Sequence, residues 1–144
     1  MLSKNARPLP RLTTTPEVDG KDDGAPMDTA EKSRLLANAF LSATQQAHDW
    51  GFDLPSATAS HRAQGLLARL AHVVRDVQRV DVAVGEDGTV EINVLSRREL
   101  ATIDIPPNGS RLEMIRRDRT SGAVRGPAET LTEAMIVERI ERAA

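Results

Sequence analysis

Between Val80 and Arg116, apolar and polar residues alternate in four short runs, VDVAV, TVEINVL, LATIDI and SRLEMIR. Glu86-Asp87-Gly88, Ser96-Arg97-Arg98-Glu99 and Asn108-Gly109 separate them. A period of two is the mark of strands with one buried face, and such turn residues join hairpins. Slipping a strand by one residue turns it over, so each loop length can be tested by whether apolar residues meet across it. A three-residue loop with Gly88 left-handed sets Val84 against Val90, Val82 against Ile92 and Val80 against Val94. A four-residue loop from Ser96 to Glu99 sets Val94 against Ala101, Ile92 against Ile103 and Val90 against Ile105. A two-residue type I′ turn at Asn108-Gly109 sets Ile105 against Leu112 and Ile103 against Met114. One face is then Val, Ile, Leu and Met; the other carries Asp81, Glu91, Asn93, Thr102, Asp104, Arg111 and Glu113.

Helical periods flank these strands. Asp28-Thr-Ala-Glu31 has the spacing of a capping box, and Leu35, Leu36, Ala39, Phe40, Ala43 and Ala47 form a stripe that ends before the stop at Gly51. Ser56 or Thr58 can cap a second helix with Ala59, Ala63, Leu66, Leu67, Leu70, Val74 and Val77 on one side. After the strands, a charged loop holds Gly122 and Gly126, with room for a short strand near Ala123-Val124. Pro127 suits the first turn of a last helix, whose apolar side holds Leu131, Ala134, Met135, Ile136, Val137 and Ile140. The expected fold is α+β: two N-terminal helices, a four-stranded antiparallel meander and a C-terminal helix, with the helices on one sheet face. Residues 1–27, rich in Pro, Gly, Thr and mixed charge, read as a disordered N-terminal tail, and residues 28–144 as a single domain. Lys4, Arg7 and Arg11 at the start of the tail echo an organelle transit peptide, but Glu17, Asp19, Asp22 and Asp23 follow at once.

Composition removes whole classes of chemistry. The 144 residues hold no cysteine, so disulfides, thiol nucleophiles and thiolate metal sites are excluded, and a reducing cytoplasm is the expected location. Nineteen basic against twenty-one acidic residues give a net charge of -2, with no global attraction to nucleic acid or anionic membrane. No apolar run approaches the roughly 18 residues of a bilayer span. One Trp, two Phe and no Tyr leave little for stacking on bases or sugars.

No catalytic cluster is left over. His61 and His72 lie on one side of the second helix but roughly 16 Å apart, and His48 points away from its neighbour Asp49. No nucleophile elbow or phosphate-binding glycine loop occurs. Glu91 and Asp104 share the wet sheet face, offset across the second hairpin, on an open surface that offers no apolar pocket to raise a carboxyl pKa. Arg111, Arg116, Arg117, Arg119 and Arg125 cluster around the fourth strand, interleaved with Glu113 and Asp118. They read either as a phosphate grip or as the charged protection of an edge strand.

Several motifs occur in order between Asp49 and Leu112: Asp49-Trp50-Gly51, Leu54-Pro55-Ser56, an Ala/Leu helix, Glu86-Asp87-Gly88-Thr89-Val90-Glu91-Ile92 and Ile103-Asp104-Ile105-Pro106-Pro107-Asn108-Gly109. In this the chain resembles a group of small, mostly uncharacterised bacterial proteins found beside toxin or defence genes. It differs where Asp precedes Trp, where Thr89 replaces a second Gly and in lacking the aromatic that ends their Leu-Glu-Trp strand. The resemblance implies an antitoxin-like or operon-partner protein and supplies no catalytic residue.

The function expected from sequence is a non-enzymatic protein–protein interaction module without a cofactor or metal. The pairing arithmetic gathers Leu95, Leu100 and Ile115 at one end of the wet face, rimmed by Arg97, Arg98 and Arg117, as a surface for a protein partner or a second copy. The alternative is a nucleic-acid-binding accessory protein using Arg111, Arg116, Arg117, Arg119 and Arg125. A hydrolase using His48 or the sheet acids is the remaining reading.

Overall fold

The computed structural model describes residues 28–72 and 77–143. The tail at residues 1–27 and Val74 lie outside the described residues. Helix α1 (Thr29–Asp49) is followed by α2 (Ala57–Leu70), by strands β1 (Val77–Val84), β2 (Val90–Ser96), β3 (Glu99–Ile105), β4 (Glu113–Asp118) and β5 (Glu129–Thr130), and by α3 (Glu133–Ala143). The strands form one antiparallel sheet in sequence order, so the α+β meander stands with five strands where four are expected.

Local chemistry sets the helix ends. Asp28 accepts a 2.8 Å bond from the Glu31 N–H, while the Glu31 carboxylate turns to Arg34, 3.6 Å away, rather than back to the cap. Ser56 caps α2, its Oγ accepting from the Ala59 N–H at 3.0 Å. Gly51, at φ +77°, ends α1, and the Phe52 N–H then closes on the Ala47 carbonyl at 2.9 Å.

Pairing across the first two hairpins follows the expected register: Val84 with Val90, Val82 with Ile92, Val80 with Val94, then Val94 with Ala101, Ile92 with Ile103 and Val90 with Ile105. Gly88 has φ +91°, as the three-residue loop requires. The second connection is tighter than expected, because Ser96 and Glu99 belong to the strands and only Arg97-Arg98 turns. At the third, Ile103 meets Met114 as expected, but no type I′ turn forms, since the only positive-φ residue there is Gly109 at +69°. The turn runs from Pro106, whose carbonyl accepts from the Gly109 N–H at 2.8 Å, and Asn108 Oδ1 holds the Ser110 N–H at 2.9 Å.

Three boundaries depart from the sequence pattern. Val77 opens β1 opposite Ser96 instead of closing the second helix, with an irregularity between Val77 and Arg79. The fifth strand is Glu129–Thr130, paired with Met114 and Glu113; Val124 makes a lone bridge to Arg117 along the same edge. Gly126, at φ +93°, and Pro127, which has no N–H, interrupt what would otherwise be one edge strand. The last helix consequently starts after Thr132, whose hydroxyl accepts from the Met135 N–H at 3.2 Å.

The helices cover one sheet face. α1 packs on β1 and α2, and α2 packs on β3 and α3. Between them lies one continuous core that includes Leu36, Phe40, Leu66, Leu67, Leu70, Ile136 and Ile140 from the helices and Val82, Ile92, Ile103, Ile105 and Met114 from the sheet. Each such side chain contributes about 1.5–3 kcal/mol by leaving water. The α1–α2 connection is fastened to two hairpin turns: the Asp53 N–H donates to the Glu86 carbonyl and the Ser56 N–H to the Pro107 carbonyl, both at 3.0 Å.

Candidate interaction face

The opposite sheet face carries no helix among the described residues. Strand pairing arranges its side chains in three rows that cross the sheet. The first is Ala83, Glu91, Asp104 and Glu113; the second Asp81, Asn93, Thr102 and Ile115; the third Arg79, Leu95, Leu100 and Arg117, extended by Val124. One end of the face is acidic and the other combines leucine with arginine. A depression of about 460 Å³ lies between the ends, lined by residues that include Asp81, Glu91, Asp104, Leu100, Ile115 and Arg117. At its centre the Thr102 hydroxyl and Asn93 Oδ1 share a 2.6 Å hydrogen bond.

Glu91 and Asp104 are directly paired, not offset as expected. Burial in the concave surface pushes the Asp104 carboxyl above its usual value near 3.8, and the charges of Glu91, Glu113 and Asp87 push the same way. Partial burial in the sheet and neighbouring acids thus raise this carboxyl on a face where no such shift was expected. Asp87 is held low instead, chiefly by the Thr89 N–H, which donates to its Oδ1 at 2.9 Å.

Leu95, Leu100 and Ile115 are each half-buried, with Leu95 opposite Leu100 and Ile115 opposite Thr102. Arg97, Arg98 and Arg117 are exposed around that end. Val124, exposed beside Arg117 in the segment expected to hold a short strand, extends the apolar strip.

The five arginines of the nucleic-acid reading are parted by the fold. Arg111 pairs with Glu113 at 2.9 Å, Arg117 stands on the uncovered face, and Arg119 reaches across to Gln78 at 2.5 Å and the Ser96 carbonyl at 3.2 Å. Arg116, opposite Ala101, and Arg125 lie on the helix side, where both meet Glu99. His48, His61 and His72 are all exposed. Among the described residues, no group of three or more His, Asp or Glu side chains could hold a metal ion, and no helix is long and apolar enough to cross a membrane. Comparison with protein-family models, with curated proteins and with solved structures returns no match.

Proposed function

We propose that this chain is a non-enzymatic interaction module whose uncovered sheet face receives a protein partner. The observation that carries the reading is the gradient across that face: half-buried Leu95 and Leu100 at one end, Ile115 beside them in the middle row, and Glu91, Asp104 and Glu113 in a row at the other end. The partner presents an apolar side chain to the leucine end and Lys or Arg to the acidic row. Burial holds the Asp104 carboxyl high and its acidic neighbours add to this; a cation there offsets both, so complementarity favours this partner over a nucleic acid, whose phosphates the acids repel. An antitoxin-like role, with the partner encoded beside this chain, is the form implied by the resemblance.

The test uses the full chain as bait in an extract of its native host, with captured proteins identified by mass spectrometry. Leu100→Asp and the double charge reversal Glu91→Lys/Asp104→Lys should each abolish capture of one protein with a basic and apolar surface, while both variants remain folded. Sedimentation of the isolated chain separates self-association, which would make the partner a second copy. Capture that survives both substitutions sinks the proposal.

A further inference from the structure

On the helix side, away from the interaction face, the apolar rows of the sheet give way to charge. The row Val80, Val94 and Ala101 ends at Arg116, and the next row brings Ser96 and Glu99 beside Val77. Glu99 is only 2% exposed, yet it carries a carboxylate. Its Oε1 accepts from Arg125 Nη1 at 3.2 Å, while its Oε2 lies 3.7 Å from Arg116 Nη1 and accepts no hydrogen bond among the described residues. An open, solvent-facing cavity of about 330 Å³ lies at this point, lined by Arg116, Arg125, Glu129, Arg139 and Arg142 with the Gly126-Pro127 segment.

Four guanidinium groups around one small cavity repel one another unless something holds them there. Glu99 anchors two of them, Glu129 anchors Arg139, and Glu138 holds Arg142 at 3.1 Å. With Asp118, which stands opposite Glu99 and beside Arg125, four cations face four carboxylates, so the attraction for an anion rests on unoccupied donors and not on an excess of charge. Each guanidinium offers five N–H donors in a planar fork, and these anchoring contacts occupy only part of each fork. Arg116 and Arg125 are also held in place before any ligand arrives, which lowers the entropy cost of binding.

We propose that this cavity binds the phosphoryl group of a small hydroxylated phosphate monoester. Planar guanidinium forks match phosphate oxygens bidentately, and the open space between them admits a small ligand. Glu129, which repels the phosphoryl group, accepts from a neighbouring hydroxyl and favours such a monoester over phosphate alone.

The experiment is an amide NMR titration of the full chain with inorganic phosphate and with glycerol 3-phosphate, against glycerol plus sodium chloride at matched ionic strength. Saturable shifts at residues 116, 125, 126, 128, 129 and 139–142 are expected with both phosphate probes, and tighter binding with the monoester. Arg139→Gln/Arg142→Gln should weaken binding at least tenfold. If that double variant is unfolded, Arg142→Gln alone decides: its exposed pair with Glu138 lies within one helix, and binding should weaken severalfold. Chloride shifts equal to those with phosphate, or unchanged affinity in the folded variant, would overturn the assignment.

Discussion

The two faces of the sheet are built from the same strands yet solve opposite problems. On the covered face, Val82, Ile92, Ile103 and Met114 form a row that the helices close completely. On the uncovered face, the neighbouring row Asp81, Asn93, Thr102 and Ile115 stays half-buried, and polarity changes from acid to arginine over three rows. Stability therefore resides on one side of a layer one residue thick, and the recognition chemistry we propose on the other. Alternation makes this division possible, because substituting one residue changes one face and leaves the other in place. The separation fails only at the Glu99 end, where the covered face itself becomes charged.

The sharpest way to break this comparison is to remove equivalent side chains from each face. Ile92→Ala should cost about 2–5 kcal/mol, since it leaves a cavity in a closed layer. Leu100→Ala should cost no more than about 1 kcal/mol, the share expected of a half-buried leucine. Urea unfolding reads both, and equal losses would mean that the uncovered face is packed like core.

The helix layer can be loosened at its fastenings to the turns. A Cβ at Gly109 would sit 2.6 Å from the Ala59 nitrogen, while one at Gly88 would sit 3.0 Å from the Leu54 oxygen. Both glycines are left-handed, so strain is common to the two and proximity to the α2 backbone decides between them. Gly109→Ala should destabilise by about 2–5 kcal/mol and Gly88→Ala by less, as measured by thermal melts.

At the charged end, Arg116→Met leaves Glu99 buried with only Arg125 beside it and should cost about 1–3 kcal/mol. Adding Glu99→Leu should recover most of that loss, because an apolar pair needs no desolvation. A double-mutant cycle that shows simple additivity would refute the coupling.

The smallest effect belongs to the acidic row. With its folded-state pKa above 3.8, Asp104 binds protons more readily in the native chain, so its contribution to stability falls as pH rises through that window. Above the window the ionised carboxylate is a standing penalty. Asp104→Asn should therefore raise the melting temperature at neutral pH, and the gain should vanish below about pH 3.8. A gain of the same size at both pH values would trace to packing rather than to ionisation.

Most of the first two hairpins was legible in the residues, because Gly88 and the strict alternation of Val and Ile admit only one register. The end of the second helix was not. Val77 stands seven residues after Leu70, two helical turns away, so a helical period runs smoothly through a position that the sheet in fact uses. Pro127 was ambiguous for a similar reason: it suits a helix start and an interrupted edge strand equally, and the pairing of Glu129 and Thr130 with β4 settles which. Of the candidate surface, Leu95, Leu100 and Ile115 follow from pairing arithmetic, whereas Val124 joins them only through its bridge to Arg117.

By itself, the chain's local chemistry determined the helix cap at Asp28, the left-handed turn at Gly88 and which strand residues share a face, since each depends on neighbours a few positions apart. Tertiary structure alone decided what those faces meet. Glu99 reads in sequence as one more loop acid, and it becomes a buried anchor only because β4 and the 125–129 segment bring Arg116 and Arg125 to it. Arg139 and Arg142 carry no signal in sequence, and they come together with Arg116 and Arg125 because α3 lies beside that segment. Burial and charge pairing are sums over residues distant in the chain, and no local period carries that information.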